Sequence, residues 1–185
     1  MFGGTFDPVH VGHLVAAVNA RDGLRLDRVL LVVANQPWQK SGRSITPAGD
    51  RFAMVAAAVA GQDRLEASRL EIDRGGESYT ADTLEQLAGD DLFLVVGADV
   101  AADLLTWERP DAVRRLATVA VVDRPGAPEP RFGPGWRVER VEIPHLAVSA
   151  SDLRRRVRDG LPLDWLVPDP VIAYIRQRGL YAGGR

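Results

Sequence analysis

What most restricts the fold of this 185-residue chain is its first stretch, Met1-Phe2-Gly3-Gly4-Thr5-Phe6-Asp7-Pro8-Val9-His10-Val11-Gly12-His13-Leu14. Paired glycines let a backbone approach a bulky ligand with no Cβ in the way, and Asp7-Pro8 turns the chain before a helical run begins near Val11. Apolar residues at Leu14, Ala17, Val18 and Leu24 follow a period close to that of a helix. His10 and His13 therefore stand at a helix mouth, where unpaired N–H groups and the positive end of the dipole favour anions. Three residues apart, their imidazoles can face one bound phosphate. A turn of this kind normally follows a buried strand of a parallel sheet. Only Met1 and Phe2 precede it here, so Met1 is expected to be an internal residue of a longer natural chain, which the intact mass of the protein from its host decides.

The rest of the chain alternates strand and helix signals. Arg28 to Asn35 is a continuous β-branched and leucine run, suited to a strand covered on both faces. Thr46-Pro47 opens a helix with a capping hydroxyl and a proline at the first helical position, and Phe52, Val55, Ala56 and Val59 form its expected buried stripe before Gly61. Leu65 to Asp73 reads as a third strand, with Leu70 and Ile72 alternating against charged neighbours, and Gly75-Gly76 ends it. Ser78 to Leu84 starts a helix. Leu92 to Val96 is a fourth strand, followed by helices near Val100 to Leu105 and Asp111 to Leu116, a fifth strand over Thr118 to Val122, and a proline- and glycine-rich loop from Arg124 to Gly135. Glu139 to Ile143 is a last strand. Ser149 opens a helix with Leu153, Val157 and Leu161 on one face, and the final helix runs from Asp169-Pro170 to Gly179. Such alternation predicts an α/β fold, a doubly wound Rossmann-like parallel sheet with helices on both faces, as one domain over residues 1–185.

Composition narrows the function classes. A net charge of -2 gives no general attraction for nucleic acid or an anionic membrane, so any anion site is local. The absence of cysteine excludes disulfides, thiolate metal sites and a cysteine nucleophile. With no apolar run of membrane-spanning length and no basic-then-apolar leader, the cytoplasm is the expected location. A homo-oligomer is left open.

Gly-Gly-Thr-Phe-Asp-Pro followed at once by His-x-Gly-His resembles the signature of the nucleotidyltransferases that share a His-x-Gly-His motif with class I aminoacyl-tRNA synthetases. Among these it is most similar to the bacterial nicotinate-nucleotide adenylyltransferases, and the resemblance runs from Gly3 through the final helix. It implies the adenine nucleotide alpha hydrolase-like, nucleotidylyltransferase fold, with ATP and nicotinate mononucleotide as substrates and Mg²⁺ carried on the ATP phosphates. Catalytic roles then fall to His10 and His13, which donate hydrogen bonds or positive charge to the phosphates, and to Lys40 in Gln36-Pro37-Trp38-Gln39-Lys40, where the family has Pro-Pro-His-Lys. Trp38 beside it is either a loop anchor or a lid.

The same resemblance assigns ATP binding to Gly3, Gly4, Thr5, Phe6, Gly97, Asp99, Ser149, Ser151 and Arg154. Ser149-Ala150-Ser151-Asp152-Leu153-Arg154 departs from the family's stretch in lacking a hydroxyl at Ala150, and either serine alone can equally cap a helix. Tyr79-Thr80-Ala81-Asp82-Thr83-Leu84 resembles the segment that holds the pyridine carboxylate, with Thr80 as the contact. Trp107, ten residues beyond Gly97-Ala98-Asp99, matches a tryptophan that stacks on the pyridine ring, although core packing is the usual role of a lone tryptophan. Glu108 stands where an aromatic or histidine is common. Arg124 in Asp123-Arg124-Pro125-Gly126 completes the acceptor contacts, and His145 reads as structural. The rivals are a sister transferase acting on phosphopantetheine or nicotinamide mononucleotide, and a nucleotide-binding regulator without catalysis. The regulator has no need of His10 and His13, and both are present.

Overall fold

The computed structural model describes residues 1–38, 44–89, 91–123, 132–144 and 146–183. Among the described residues, six strands pair wholly in parallel. β1 (Phe2–Gly4) pairs with β2 (Val29–Val33), Phe2 opposite Leu31 and Gly4 opposite Val33, and β2 pairs with β3 (Leu65–Ser68). In a second set, β4 (Leu92–Gly97) pairs with β5 (Ala117–Asp123), which pairs with β6 (Val138–Glu142). Met1 joins the sets: its amine donates to the Phe93 carbonyl at 2.7 Å, and its own carbonyl accepts from the Val95 N–H at 2.8 Å. The lateral order is therefore 3-2-1-4-5-6, in which the direction of winding reverses between β1 and β4. In such sheets ligands bind outside the carboxyl ends of the strands at that reversal.

The continuous apolar runs become strands because both faces are covered. Successive side chains point to opposite faces, so Leu31 and Val33 of β2 join one core while Val32 joins the other. On the first face lie α1 (Val11–Gly23), α2 (Ala48–Val59) and α8 (Asp169–Arg178), with Phe6, Val9, Met54, Val55 and Ile175 in the packing. The second face is covered by α4 (Thr80–Gln86), α5 (Ala98–Ala102) and α6 (Pro110–Leu116), through Leu84, Ala101 and Val113. α8 ends on Gly179 in the left-handed region, as its place after Arg178 predicts.

Several expectations are corrected. The segment expected as a strand from Leu65 to Asp73 pairs only as far as Ser68, then forms a single helical stretch, α3 (Leu70–Arg74). The Ser68 hydroxyl accepts the Leu70 N–H, and an Arg69–Asp73 ion pair spans the turn; Glu71, not an apolar neighbour, is the buried residue. On α1 the small residues Ala16, Ala17 and Ala20 are buried, Leu14 packs partly buried against the same core, and Val18 is 36% exposed. The buried face of α2 is Arg51, Met54, Val55, Ala58 and Val59 rather than a stripe through Phe52 and Ala56, and no Thr46 hydroxyl cap forms. The helix expected over Val100 to Leu105 begins earlier, straight from β4, and is followed by a 3₁₀ turn at Leu104–Thr106; Val100 and Leu105 consequently face solvent. α7 (Ala150–Arg158) stops short of Leu161, which is 49% exposed, since Gly160 takes a left-handed conformation.

Candidate active site

At the reversal between β1 and β4 lies a pocket of about 510 Å³. It gathers Gly3, Gly4, Thr5, His10 and His13 from one half of the chain with Thr80, Gly97, Asp99 and Trp107 from the other. Sequence reasoning assigned all nine, and the fold brings them together because both β1 and β4 end there.

Gly3 and Gly4, expected in the turn, are instead the last residues of β1, and the turn that follows them is shaped by local packing. A Cβ on Gly4 would stand 2.8 Å from the Phe6 ring, so a side chain there displaces the ring. Phe6 itself is buried with a left-handed φ of 49°, its ring edge-on to Phe2 and to His13. It forms the wall behind the turn rather than the pocket lining.

The two imidazoles stack, with ring centroids 3.7 Å apart and planes inclined at 28°. His13 Nδ1 accepts the backbone N–H of His10 at 3.2 Å. That bond makes His13 Nδ1 an acceptor and places the ring proton on Nε2. Burial pushes the His10 imidazole down to about 4, so the ring is neutral at pH 7, and its Nδ1 is buried without a hydrogen-bond partner. With His10 neutral, the pair is not a standing dication.

An anion beside His10 supplies the counter-charge that burial withholds and raises its pKa on binding. A group whose pKa rises on binding takes up a proton, and affinity for the anion grows as pH falls from the bound pKa toward the free value of about 4. Calorimetry of MgATP binding near pH 6, in buffers of different ionisation enthalpy, is expected to show proton uptake that His10→Asn abolishes. A buffer-independent enthalpy would mean that His10 stays neutral throughout.

On the other side of the pocket, Thr80 is the first residue of α4 and Trp107 follows the 3₁₀ turn. The Trp107 ring is half-buried against the second core, and its indole N–H is buried without a partner. Arg109, at a left-handed φ of 50°, pairs with Asp82 and with Glu85 at 2.9 Å, tying the segment after Trp107 to α4. Trp38 lies 6.5 Å from Tyr79, ring centroid to ring centroid. The residues just before it are bonded to the approach to α4: Asn35 N–H donates to the Ser78 hydroxyl at 2.8 Å, and Ser78 N–H to the Gln36 carbonyl at 3.0 Å.

Ser149, Ser151 and Arg154 do not line the pocket, although Val148 just before them does. Ser149 caps α7, its hydroxyl accepting the Asp152 N–H at 3.1 Å, which is the structural role that the sequence left open. Arg154 donates to the Asp7 carbonyl at 2.7 Å and to the Ser151 hydroxyl at 3.2 Å. It thereby links α7 to the phosphate turn across 147 residues of sequence. Lys40, Arg124 and His145 lie outside the described residues. Among the described residues no group of three or more His, Asp or Glu is placed to hold a metal ion, and no helix is long and apolar enough to cross a membrane.

Buried Arg51 and Glu71 escaped sequence reasoning, as did the long-range partners of Asp7. Arg51 donates to three backbone carbonyls, Asp7 accepts from the Tyr181 hydroxyl at 2.7 Å and the Thr46 N–H at 3.3 Å, and Glu71 accepts from the Thr83 hydroxyl at 2.7 Å. The available signal for Arg51 was positional, since it continues the spacing of Met54, Val55, Ala58 and Val59 one turn earlier.

A doubly wound sheet with a glycine-rich turn and a His-x-Gly-His helix mouth at its reversal point defines a nucleotide-handling α/β protein of the nucleotidyltransferase class. Comparisons with known proteins agree. Residues 1–156 match the sequence profile of the cytidylyltransferase-like family. A protein of Corynebacterium kroppenstedtii is 45% identical over 98% of this chain and 89% of its own length, and one of Streptomyces coelicolor is 45% identical over 98% and 99%. Both are named as probable nicotinate-nucleotide adenylyltransferases. The chain belongs to the cytidylyltransferase-like family, on the branch of the nicotinate-nucleotide adenylyltransferases. Its fold also matches that of the Plasmodium falciparum nicotinic acid mononucleotide adenylyltransferase solved with NaAD, with a TM-score of 0.75 at 17% identity over 97% of this chain and 95% of that one.

Proposed function

We propose that this chain transfers the adenylyl group of ATP to the phosphate of nicotinate mononucleotide, yielding nicotinate adenine dinucleotide and pyrophosphate in NAD biosynthesis. An acceptor phosphate oxygen attacks the α-phosphorus, and the bond from that phosphorus to the bridging oxygen of the β-phosphate breaks. Both reactants are anions, so the barrier is largely charge repulsion, and catalysis consists of positioning and charge neutralisation. The nucleophile is already ionised. Neither a covalent intermediate nor a strong base is required.

The observation that carries this reading is the union, in one pocket, of stacked His10 and His13 with Thr80 and Trp107. On it, the imidazoles donate to the phosphates as negative charge shifts toward the leaving pyrophosphate. Gly3, Gly4 and Thr5 admit the triphosphate, Gly97 allows close approach of the nucleotide, and Asp99 accepts from a ribose hydroxyl. Thr80 and Trp107 take the pyridine carboxylate and ring. Lys40 steadies the triphosphate, Arg154 acts through its bond to the Asp7 carbonyl by holding the turn, and Arg124 completes the acceptor side. Mg²⁺ enters as part of the MgATP substrate, held on its phosphate oxygens, and offsets charge on the departing group.

The test is kcat/KM for pyrophosphate release with ATP, Mg²⁺ and each of three acceptors. Nicotinate mononucleotide is expected to exceed its amide counterpart and phosphopantetheine by at least about tenfold, the worth of about 1.4 kcal/mol of differential binding. Preference for phosphopantetheine moves the chain to the sister transferases, and no release with any acceptor moves it to a binding role.

A further inference from the structure

We propose that Arg51 is a positioning residue for the transfer, a buried clamp that holds the phosphate turn in its ligand-ready conformation. The inference rests on the reading of the pocket as a nucleotide site. Arg51 belongs to α2, contributes nothing to the pocket lining, and is 1% exposed. Its guanidinium has no acidic hydrogen-bond partner. Instead Nε donates to the Thr46 carbonyl at 2.7 Å, Nη1 to the Thr5 carbonyl at 2.8 Å, and Nη2 to the Asn35 carbonyl at 3.0 Å. These carbonyls belong to the phosphate turn, the end of β2 and the approach to α2, three segments that no secondary-structure ladder joins at those points.

The chemistry is specific to arginine. A rigid planar fork reaches three acceptors at once, whereas a lysine amine is a compact point charge that satisfies carbonyls only around one position. Burial lowers the Arg51 pKa and the nearby Asp7 carboxylate opposes that shift, yet a guanidinium stays charged in either case. Asp7 completes the cluster, taking the Thr46 N–H and the Tyr181 hydroxyl, so the buried cation and anion both tie the turn to Thr46.

Peptide planarity converts this clamp into a functional device. The Thr5 carbonyl and the Phe6 N–H share one plane and point in opposite directions across a trans bond. Pinning the carbonyl toward α2 therefore fixes the plane of the Thr5–Phe6 peptide, directly after Gly3, Gly4 and Thr5, which line the pocket. A buried charge of this kind stabilises a fold little better than well-packed apolar side chains of the same volume. Its distinct contribution is the fixed direction of the turn.

The experiment compares Arg51→Lys and Arg51→Met with the wild type, at a temperature where circular dichroism shows each variant folded. Two quantities are read: the equilibrium Kd for MgATP without acceptor, and steady-state kcat with KM for both substrates. Misplacement of the turn by a fraction of an ångström is expected to lower kcat about 10- to 100-fold and to weaken ATP binding, with the KM for nicotinate mononucleotide within about twofold of wild type. Folded variants with unchanged kcat and ATP Kd, or with equal losses for both substrates, would overturn the proposal and reduce Arg51 to a packing role. If wild type proves inactive with nicotinate mononucleotide, the acceptor reading fails, while the ATP affinities still decide the clamp. Arg51→Lys keeps the charge and guards against a variant that fails to fold.

Discussion

Alanine in place of His13 is expected to lower kcat by about 10²- to 10⁴-fold, with the Kd for MgATP changed by less than about tenfold. The asymmetry follows from what the ring does. His13 is held by the His10 N–H on Nδ1 and by the edge of Phe6, so its donor nitrogen is already oriented and costs no rearrangement when charge develops. Ground-state ATP carries its charge on other groups and loses little. His10→Ala is expected to give a loss of similar size, and the double variant a loss no larger than about tenfold beyond either single one. Two rings 3.7 Å apart act on the same charge, so their effects are not additive. Loss of ATP affinity matching the loss of kcat would make the pair a ground-state binding site and remove its catalytic role.

Truncating Trp107 to alanine is expected to raise the KM for nicotinate mononucleotide by about 10- to 100-fold, with the KM for ATP nearly constant. An indole face stacked on an electron-poor ring contributes about 0.5–1.5 kcal/mol beyond the apolar area it covers, and that area supplies the remainder. The structure leaves both roles of the residue visible: Trp107 packs half-buried against the second core and also lines the pocket. Trp107→Phe separates them. It preserves most of the packing and a stacking face, so acceptor KM should recover to within a few fold of wild type. A Trp107→Ala variant that is less stable but has normal acceptor KM would assign the tryptophan to the core alone.

The phosphate turn and its histidines were legible from the sequence because their meaning is local. Glycines, Asp-Pro and two histidines at helical spacing define a strand–turn–helix junction within fourteen residues. Strand runs were legible for a similar reason, since a doubly covered sheet demands uninterrupted apolar residues. What escaped was set by long-range partners or by shortness. Arg51 was invisible to a search for apolar periodicity, for its burial depends on three carbonyls brought in by the fold. The Tyr181–Asp7 bond spans 174 residues, and nothing in either neighbourhood announces it. α3 has five residues, too few to show a helical period, and its Leu70-Glu71-Ile72 core mimics strand alternation. For Ser149 the two readings use the same hydroxyl, and the Asp152 N–H claims it in this structure.

The central claim is that stacked imidazoles at the mouth of α1 meet the phosphorus at which the adenylyl group is transferred. The most direct measurement is a crystal structure with a non-cleavable ATP analogue and nicotinate mononucleotide, in crystals shown to turn over natural substrates. The account predicts an α-phosphate oxygen within about 3 Å of an imidazole nitrogen of His10 or His13, with the acceptor phosphate on the opposite side of the same phosphorus. Both rings turned away from that phosphorus in such a crystal would contradict it.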